Sequence, residues 1–231
     1  MEESEKLVSK QKLLMPLIVS VVGAVVFTII VKVVDVQPIG PEGSSVGLSS
    51  LNQAVRGLFS YGELGYNELW YKITKYTGYA IVGVAGVMLF CVLCQLIRRR
   101  KMRKLDCELK LLVPFYLVAG AVYLVFEKLL IVNYRPILLG GELEASYPSS
   151  HTLLALTICG LAVFVVRRLL TRRNAKLALL VSVVLVGLAL VTVFGRLFSG
   201  VHWFTDIFGG VLMAAAIISG YTAAMKLGAG R

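Results

Sequence analysis

Histidine is nearly absent from this chain: 231 residues hold two, His151 and His202. Acid is scarce too, with 13 Asp and Glu against 24 Lys and Arg. There are four cysteines, and Cys91 and Cys94 form a C-x-x-C inside an apolar run at helical spacing. A zinc or redox centre needs more ligands or another setting, so the pair reads as small residues of a membrane helix. No disulfide is inferred for Cys107 or Cys159. The sequence has no metal-ligand cluster, and neither a metal nor another cofactor is expected. No polar linker is long enough to separate a pair of folded units, which makes residues 1–231 a single expected domain. No small-residue cleavage site follows the uncharged run Leu13–Val31, so that run is expected to persist as a first span.

Apolar residues are abundant. They make up 58% of the chain, with a mean hydropathy of +0.81. Soluble domains hold roughly 45–50%, so the composition places this chain in the membrane class. Six runs can cross a bilayer as helices: about 13–34, 77–97, 111–130, 150–166, 177–194 and 204–225. At ~1.5 Å per residue, about 20 residues span the ~30 Å hydrocarbon core. The expected fold is therefore an all-α integral membrane protein with six transmembrane helices.

The net charge of +11 would suggest nucleic acid in a soluble protein. Its placement excludes that partner, because the cations flank apolar runs. The densest run, Arg98-Arg99-Arg100-Lys101-Met102-Arg103-Lys104, follows the second span. All but seven of the 24 Lys and Arg lie in the N-terminal segment, the loops 98–110 and 167–176, or the C-terminal segment. The exceptions are Lys32, Arg56, Lys72, Lys75, Lys128, Arg135 and Arg196. This bias predicts a multi-pass plasma-membrane protein with both termini cytoplasmic. A bacterial membrane fits the chain's size.

The longest connection, residues 35–76, begins as a Gly/Pro/Ser-rich loop. It then shows an amphipathic helix over about 49–60, which Ser49 or Ser50 could cap, and a cluster of aromatics. An interfacial anchor is one reading of this stretch. A lid, or a wall past which lipid reaches a site, is the other.

Three polar islands interrupt the apolar pattern at span ends. They are Lys128 to Arg135-Pro136, Pro148-Ser149-Ser150-His151, and Arg196 through His202 to Asp206. The charge bias puts all three on the outer face. An ionisable group at membrane depth is costly unless paired or wetted, so each marks a candidate site. His202 and Asp206, at i and i+4, share one helix face. Asp206 can then accept a hydrogen bond from one imidazole nitrogen and leave the other as a nucleophile. A structural ion pair is the alternative. Ser149 and Ser150 open a helix whose free N–H groups suit an anion, with His151 placed to donate a proton. Read alone, they are an ordinary helix start. Lys128, Arg135 and Arg196 lack matching acids and suit phosphate, although Glu127, Glu142 and Glu144 could pair some of them.

Lys128-x6-Arg135-Pro136, Pro148-Ser149-Ser150-His151 and Arg196-x5-His202-x3-Asp206 together resemble the three-part signature of the type 2 phosphatidic acid phosphatases. These are integral membrane lipid phosphatases similar in site to vanadium haloperoxidases. The resemblance implies a helical-bundle phosphatase core and no metal. It implies His202 as a nucleophile forming phosphohistidine, Asp206 as its orienter and His151 as general acid. Lys128, Arg135, Ser149, Ser150 and Arg196 would bind phosphate. The expected substrate is a lipid phosphate in the bilayer: undecaprenyl diphosphate first, then phosphatidylglycerophosphate and phosphatidic acid. Phosphate transfer between lipids lies within the same family, and a non-enzymatic lipid-phosphate binder or transporter is the competing class. Two positions depart from the family pattern, with Ser150 where Gly is usual and Gly195 where Ser is usual. Gly195 forgoes a hydroxyl that could touch phosphate or cap a helix.

Overall fold

Long apolar runs can satisfy their backbone in a bilayer only as helices or closed barrels. Here they form helices. The computed structural model describes residues 2–59, 61 and 64–229, with the backbone alone for 2–10 and 229. Met1, Ser60 at the end of the expected interfacial helix, and Arg231 of the C-terminal charges lie outside the described residues. So do the side chains of Lys6 and Lys10.

The helices are α1 (Glu2–Val33), α2 (Ser49–Arg56), α3 (Glu68–Arg99), α4 (Cys107–Leu124), α5 (Ser150–Leu170), α6 (Ala175–Ser199) and α7 (Phe204–Ala229). Helix α4 runs on into a π-helical turn, Val125–Leu129, that carries Lys128. Six of these helices are long and apolar enough to cross a membrane, and α2 is the short exception. Among the described residues there is no strand, only isolated bridges such as Tyr134–Ala145.

Helix α5 is the centre of the bundle. It packs against α3, α4, α6 and α7, and α1 lies along α7. Leu153, Ala155, Leu161, Ala162 and Val165 of α5 are fully buried. Outward faces are apolar instead: Val19, Val82, Leu117 and Val183 are each about 60% exposed or more. That is the surface expected of a protein solvated by lipid.

The stretch before α3 departs from the sequence pattern. Helix α3 begins at Glu68, well before the expected residue 77, because Asn67 caps it by accepting the Trp70 N–H at 3.1 Å. The aromatic cluster is divided by this helix. Trp70 packs on Phe198 of α6, whereas Tyr76 and Tyr79 face outward. Helix α2 is not capped by its own serines. The Asp35 carboxylate, just beyond α1, accepts the Ser50 N–H at 2.7 Å. That bond, with a further one from Gln37, holds Asp35 below its usual carboxylate range.

Candidate active site

Each of the three islands is positioned by its own local structure. The loop after the π-helical turn folds back on itself. Arg135 donates its N–H to the Glu144 carbonyl at 3.0 Å, and Ser146 donates to the Asn133 carbonyl at 2.9 Å. This narrow hairpin aims Asn133 and Arg135 at the beginning of α7. Ser149 then stands at the N-cap position of α5 and donates its N–H to the Asp206 carbonyl at 2.9 Å, which joins the starts of α5 and α7. Helix α6 ends at Gly200, and Val201-His202-Trp203 carries the chain into α7.

His202 is buried between the first and third islands. Its Nε2 lies 3.2 Å from Nη1 of Arg135, and its Nδ1 lies 3.7 Å from Oδ2 of Asp206. The second distance is beyond hydrogen-bond range. The expected imidazole–Asp206 bond is therefore not formed, although the two groups face each other. Asp206 has other donors: Asn133 Nδ2 at 3.2 Å and the Trp203 N–H at 2.9 Å. Burial pushes the His202 imidazole well below its ordinary pKa, and the charges of Arg135 and Arg196 push it further. A neutral ring has one bare nitrogen. If Nδ1 carries the proton toward Asp206, the lone pair is on Nε2 and faces Arg135.

Arg135 is ion-paired with Glu144 at 2.7 Å and donates to the Val201 carbonyl at 3.3 Å. Arg196, in the last turn of α6, is 2% exposed. Its guanidinium lies 5.5 Å from the centre of the Tyr71 ring, and its Nε and Nη1 have no hydrogen-bond partner among the described residues. A buried cation left this way calls for an anion. Next to it is a cavity of about 460 Å³ lined by Tyr71, Lys75, Tyr123, Ser150, His151 and Arg196. His151 reaches this cavity because Gly78 of α3 leaves room for it. A Cβ at residue 78 would sit 3.2 Å from His151 Cδ2.

The site residues inferred from sequence do not all converge. Arg135, His151, Arg196, His202 and Asp206 share one region, with Ser150 on the cavity wall. Ser149 is fully buried, its N–H is taken by Asp206, and its hydroxyl accepts from Thr152 at 3.2 Å. Lys128 is exposed on the π-helical turn and makes no ion pair or hydrogen bond among the described residues. Gly195 is turned away from the site, toward Thr74 and Trp70 of α3.

A buried polar network was missed. Asn52 of α2 donates to the Gly47 carbonyl at 2.9 Å and to Thr205 Oγ1 at 3.0 Å, and it accepts the Thr205 N–H at 3.1 Å. Asn133 donates to Thr205 Oγ1 at 3.3 Å and accepts the Gly47 N–H at 3.2 Å. Arg56 donates to the carbonyls of Gly200 and Gly65, both at 2.6 Å. Helix α2 is thus fastened to the His202 loop by its polar face. The presence of Arg56 among the few cations outside the charged loops was the one signal in the sequence that could have suggested this.

Residues 127–227 match the family model of the PAP2 superfamily. Comparison with curated proteins gives no match. Among solved structures, the fold is similar to the crystal structure of a transmembrane PAP2-type phosphatidylglycerolphosphate phosphatase from Bacillus subtilis. The TM-score is 0.53 at 18% identity, over 93% of this chain and 94% of that one. At that identity the likeness is one of fold.

Proposed function

We propose, from the match of residues 127–227 to the PAP2 superfamily model, that this membrane protein is a lipid phosphate phosphatase working through a phosphohistidine. The observation that carries the reading is Arg196: a buried guanidinium whose Nε and Nη1 have no partner among the described residues, beside a cavity that also holds His151. His202 supports it by turning Nε2 toward Arg135. A phosphoryl group bound between the two arginines would have its charge neutralised and its phosphorus presented to Nε2.

In the first step Nε2 of His202 attacks phosphorus and the P–O bond to the lipid breaks. His151 protonates the departing oxygen. In the second step His151 takes a proton from water, whose oxygen attacks phosphorus, and the P–N bond breaks to release phosphate and restore His202. Asp206 stabilises the positive ring across the short gap between them, and apo geometry of this kind tightens with substrate bound. The N–H groups of Ser150 and His151, in the first turn of α5, are the backbone donors nearest the cavity. Ser149 contributes through the placement of that turn. Lys128 must extend to reach the phosphate.

The substrate proposed is a lipid diphosphate or monoester: undecaprenyl diphosphate first, then phosphatidylglycerophosphate and phosphatidic acid. Lys75 favours the diphosphate, because it supplies the cavity with a second cation beside Arg196. We place the site on the outer face of a plasma membrane with both termini cytoplasmic, a reading supported by the Lys and Arg bias.

The test is phosphate release by detergent-purified protein from the three lipids in parallel, with chelator present. Release that resists chelator and drops by 10²–10⁴-fold or more, on the order expected for a lost catalytic group, in His202→Ala is the expected result. Equal turnover in His202→Ala would remove the nucleophile. Lipid binding without turnover by the wild type would leave a binder on the same scaffold.

A further inference from the structure

Helices α3, α4 and α5 enclose a second cavity, of about 560 Å³, at the opposite end of the bundle. Helix α5 measures the separation. It starts at Ser150 beside the histidines and ends at Leu170 on this cavity, about 30 Å away at ~1.5 Å per residue. The catalytic reading makes no use of this space.

Its walls carry an imbalance of charge. Arg98, Arg99 and Arg173 line it against a single carboxylate, Asp106. That carboxylate is already committed. It accepts from Gln95 Nε2 at 2.6 Å and from Arg99 at 3.0 Å, while the Asp106 N–H donates to Gln95 Oε1 at 2.7 Å. These bonds fasten the end of α3 to the start of α4 and make one firm wall. A second acid nearby, Glu108, lies 3.6 Å from Arg168. Arg98 and Arg173 make no ion pair among the described residues. The exposed run Arg100, Lys101, Arg103 and Lys104 adds positive potential around the mouth.

The rest of the lining is different. Cys91 and Cys94, a turn or more before Arg98 along α3, and Leu109 of α4 give the cavity an apolar side. Cations that serve only to orient a span need no enclosed space between helices. A cationic mouth with an apolar interior fits an amphiphile.

We infer that this cavity binds the phosphate headgroup of an anionic membrane lipid, in the leaflet opposite the histidines. Guanidinium forks match phosphate oxygens, and basic pockets between transmembrane helices suit such headgroups. The apolar side assigns the phosphate to a lipid and not to a soluble ester, because a soluble ester leaves that side unfilled. The bound lipid bridges Arg98 of α3 and Arg173 beyond α5, and so braces those helices where Asp106 cannot.

The full chain, delipidated in neutral detergent, is titrated with phosphatidylglycerol, phosphatidylcholine or glycerol 3-phosphate, and bound lipid is counted by native mass spectrometry. Phosphatidylglycerol binds in preference to phosphatidylcholine, and the double variant R98Q/R173Q binds it about 30-fold more weakly, at roughly fivefold for each arginine at a membrane surface. Alkylation of Cys91 and Cys94, read peptide by peptide in the unmutated protein, slows when phosphatidylglycerol is added. This second readout does not depend on how the variant folds. Phosphate release from the lipid substrates is unchanged in R98Q/R173Q at saturating phosphatidylglycerol. Equal binding of the two lipids, or equal binding by wild type and variant, would overturn the site. Saturable glycerol 3-phosphate binding without phosphatidylglycerol binding would overturn the lipid assignment.

Discussion

Gly195→Ser separates a reading by motif from a reading by packing. The signature that this chain resembles has Ser at this position, so placing one here ought to supply a hydroxyl near phosphate. In the fold, residue 195 is buried on the face of α6 that meets α3. A Cβ there would lie 2.5 Å from Thr74 Cγ2 and 3.1 Å from Trp70 Cε3. Carbon atoms pack best at about 3.5–4.0 Å, so something must move by an ångström or so. Thr74 is held, because its hydroxyl donates to the Trp70 and Tyr71 carbonyls, both at 3.0 Å. Trp70 is held by Phe198, ring centre to ring centre 5.3 Å. Overpacking of this kind costs about 1–3 kcal/mol, or about 2–12 °C in Tm for a chain of this size. Turnover falls as well, because Arg196 is the next residue and Tyr71 lies under its guanidinium.

The assays are thermal unfolding in detergent and phosphate release. Thr74→Ser supplies the control. It removes the Cγ2 methyl that meets the new Cβ and keeps the hydroxyl, so the double variant recovers at least half of the lost Tm. A Gly195→Ser protein as stable as the wild type, or a faster one, would refute the packing argument. So would a Thr74→Ser change whose loss simply adds to that of Gly195→Ser.

Three other perturbations have defined signs. Asn133→Ala leaves the buried Gly47 N–H unpaired and takes a donor from Asp206; it lowers stability by about 2–4 kcal/mol in denaturant or thermal unfolding and lowers kcat with little change in KM. Arg196→Gln reduces phosphate release by roughly 10²-fold, yet without phosphate it raises Tm or leaves it unchanged, because it removes a buried charge whose Nε and Nη1 lack partners among the described residues. The His202 imidazole sits well below its ordinary value of 6.5, so below that pH the unfolded chain takes up a proton that the folded one refuses. This group therefore leaves stability unaffected above pH 6.5 and lowers it as pH falls, by up to about 1.4 kcal/mol per unit, and Tm falls more steeply between pH 6.5 and 5 in wild type than in His202→Asn.

The catalytic candidates were legible in the sequence because charge in an apolar chain is expensive. His151, Arg196, His202 and Asp206 stand at the ends of runs that otherwise avoid ionisable groups, and such placement must be compensated by partners or ligand. The helices were legible for a related reason, since only one backbone geometry suits an isolated apolar segment in lipid. The start of α3 was not. Asn67 and Trp70 give it a polar cap and an aromatic first turn, which look like loop in a hydropathy profile.

The frame around His202 was hidden for a different reason. Asn52 meets Thr205 across 153 residues of chain, and Asn133 meets Asp206 across 73. A helical period of 3.6 residues relates neighbours on one face and carries no information at those separations. Neither asparagine is charged, so the cost argument that exposed the histidines does not reach them. Yet these amides decide how Asp206 is held. With Asn133 and the Trp203 N–H on its oxygens, the carboxylate is fixed in place without leaning on the imidazole. Hence the 3.7 Å gap to Nδ1 can persist in the free protein, and in the proposed reaction the ring would be drawn in when phosphate joins Arg135 beside Nε2.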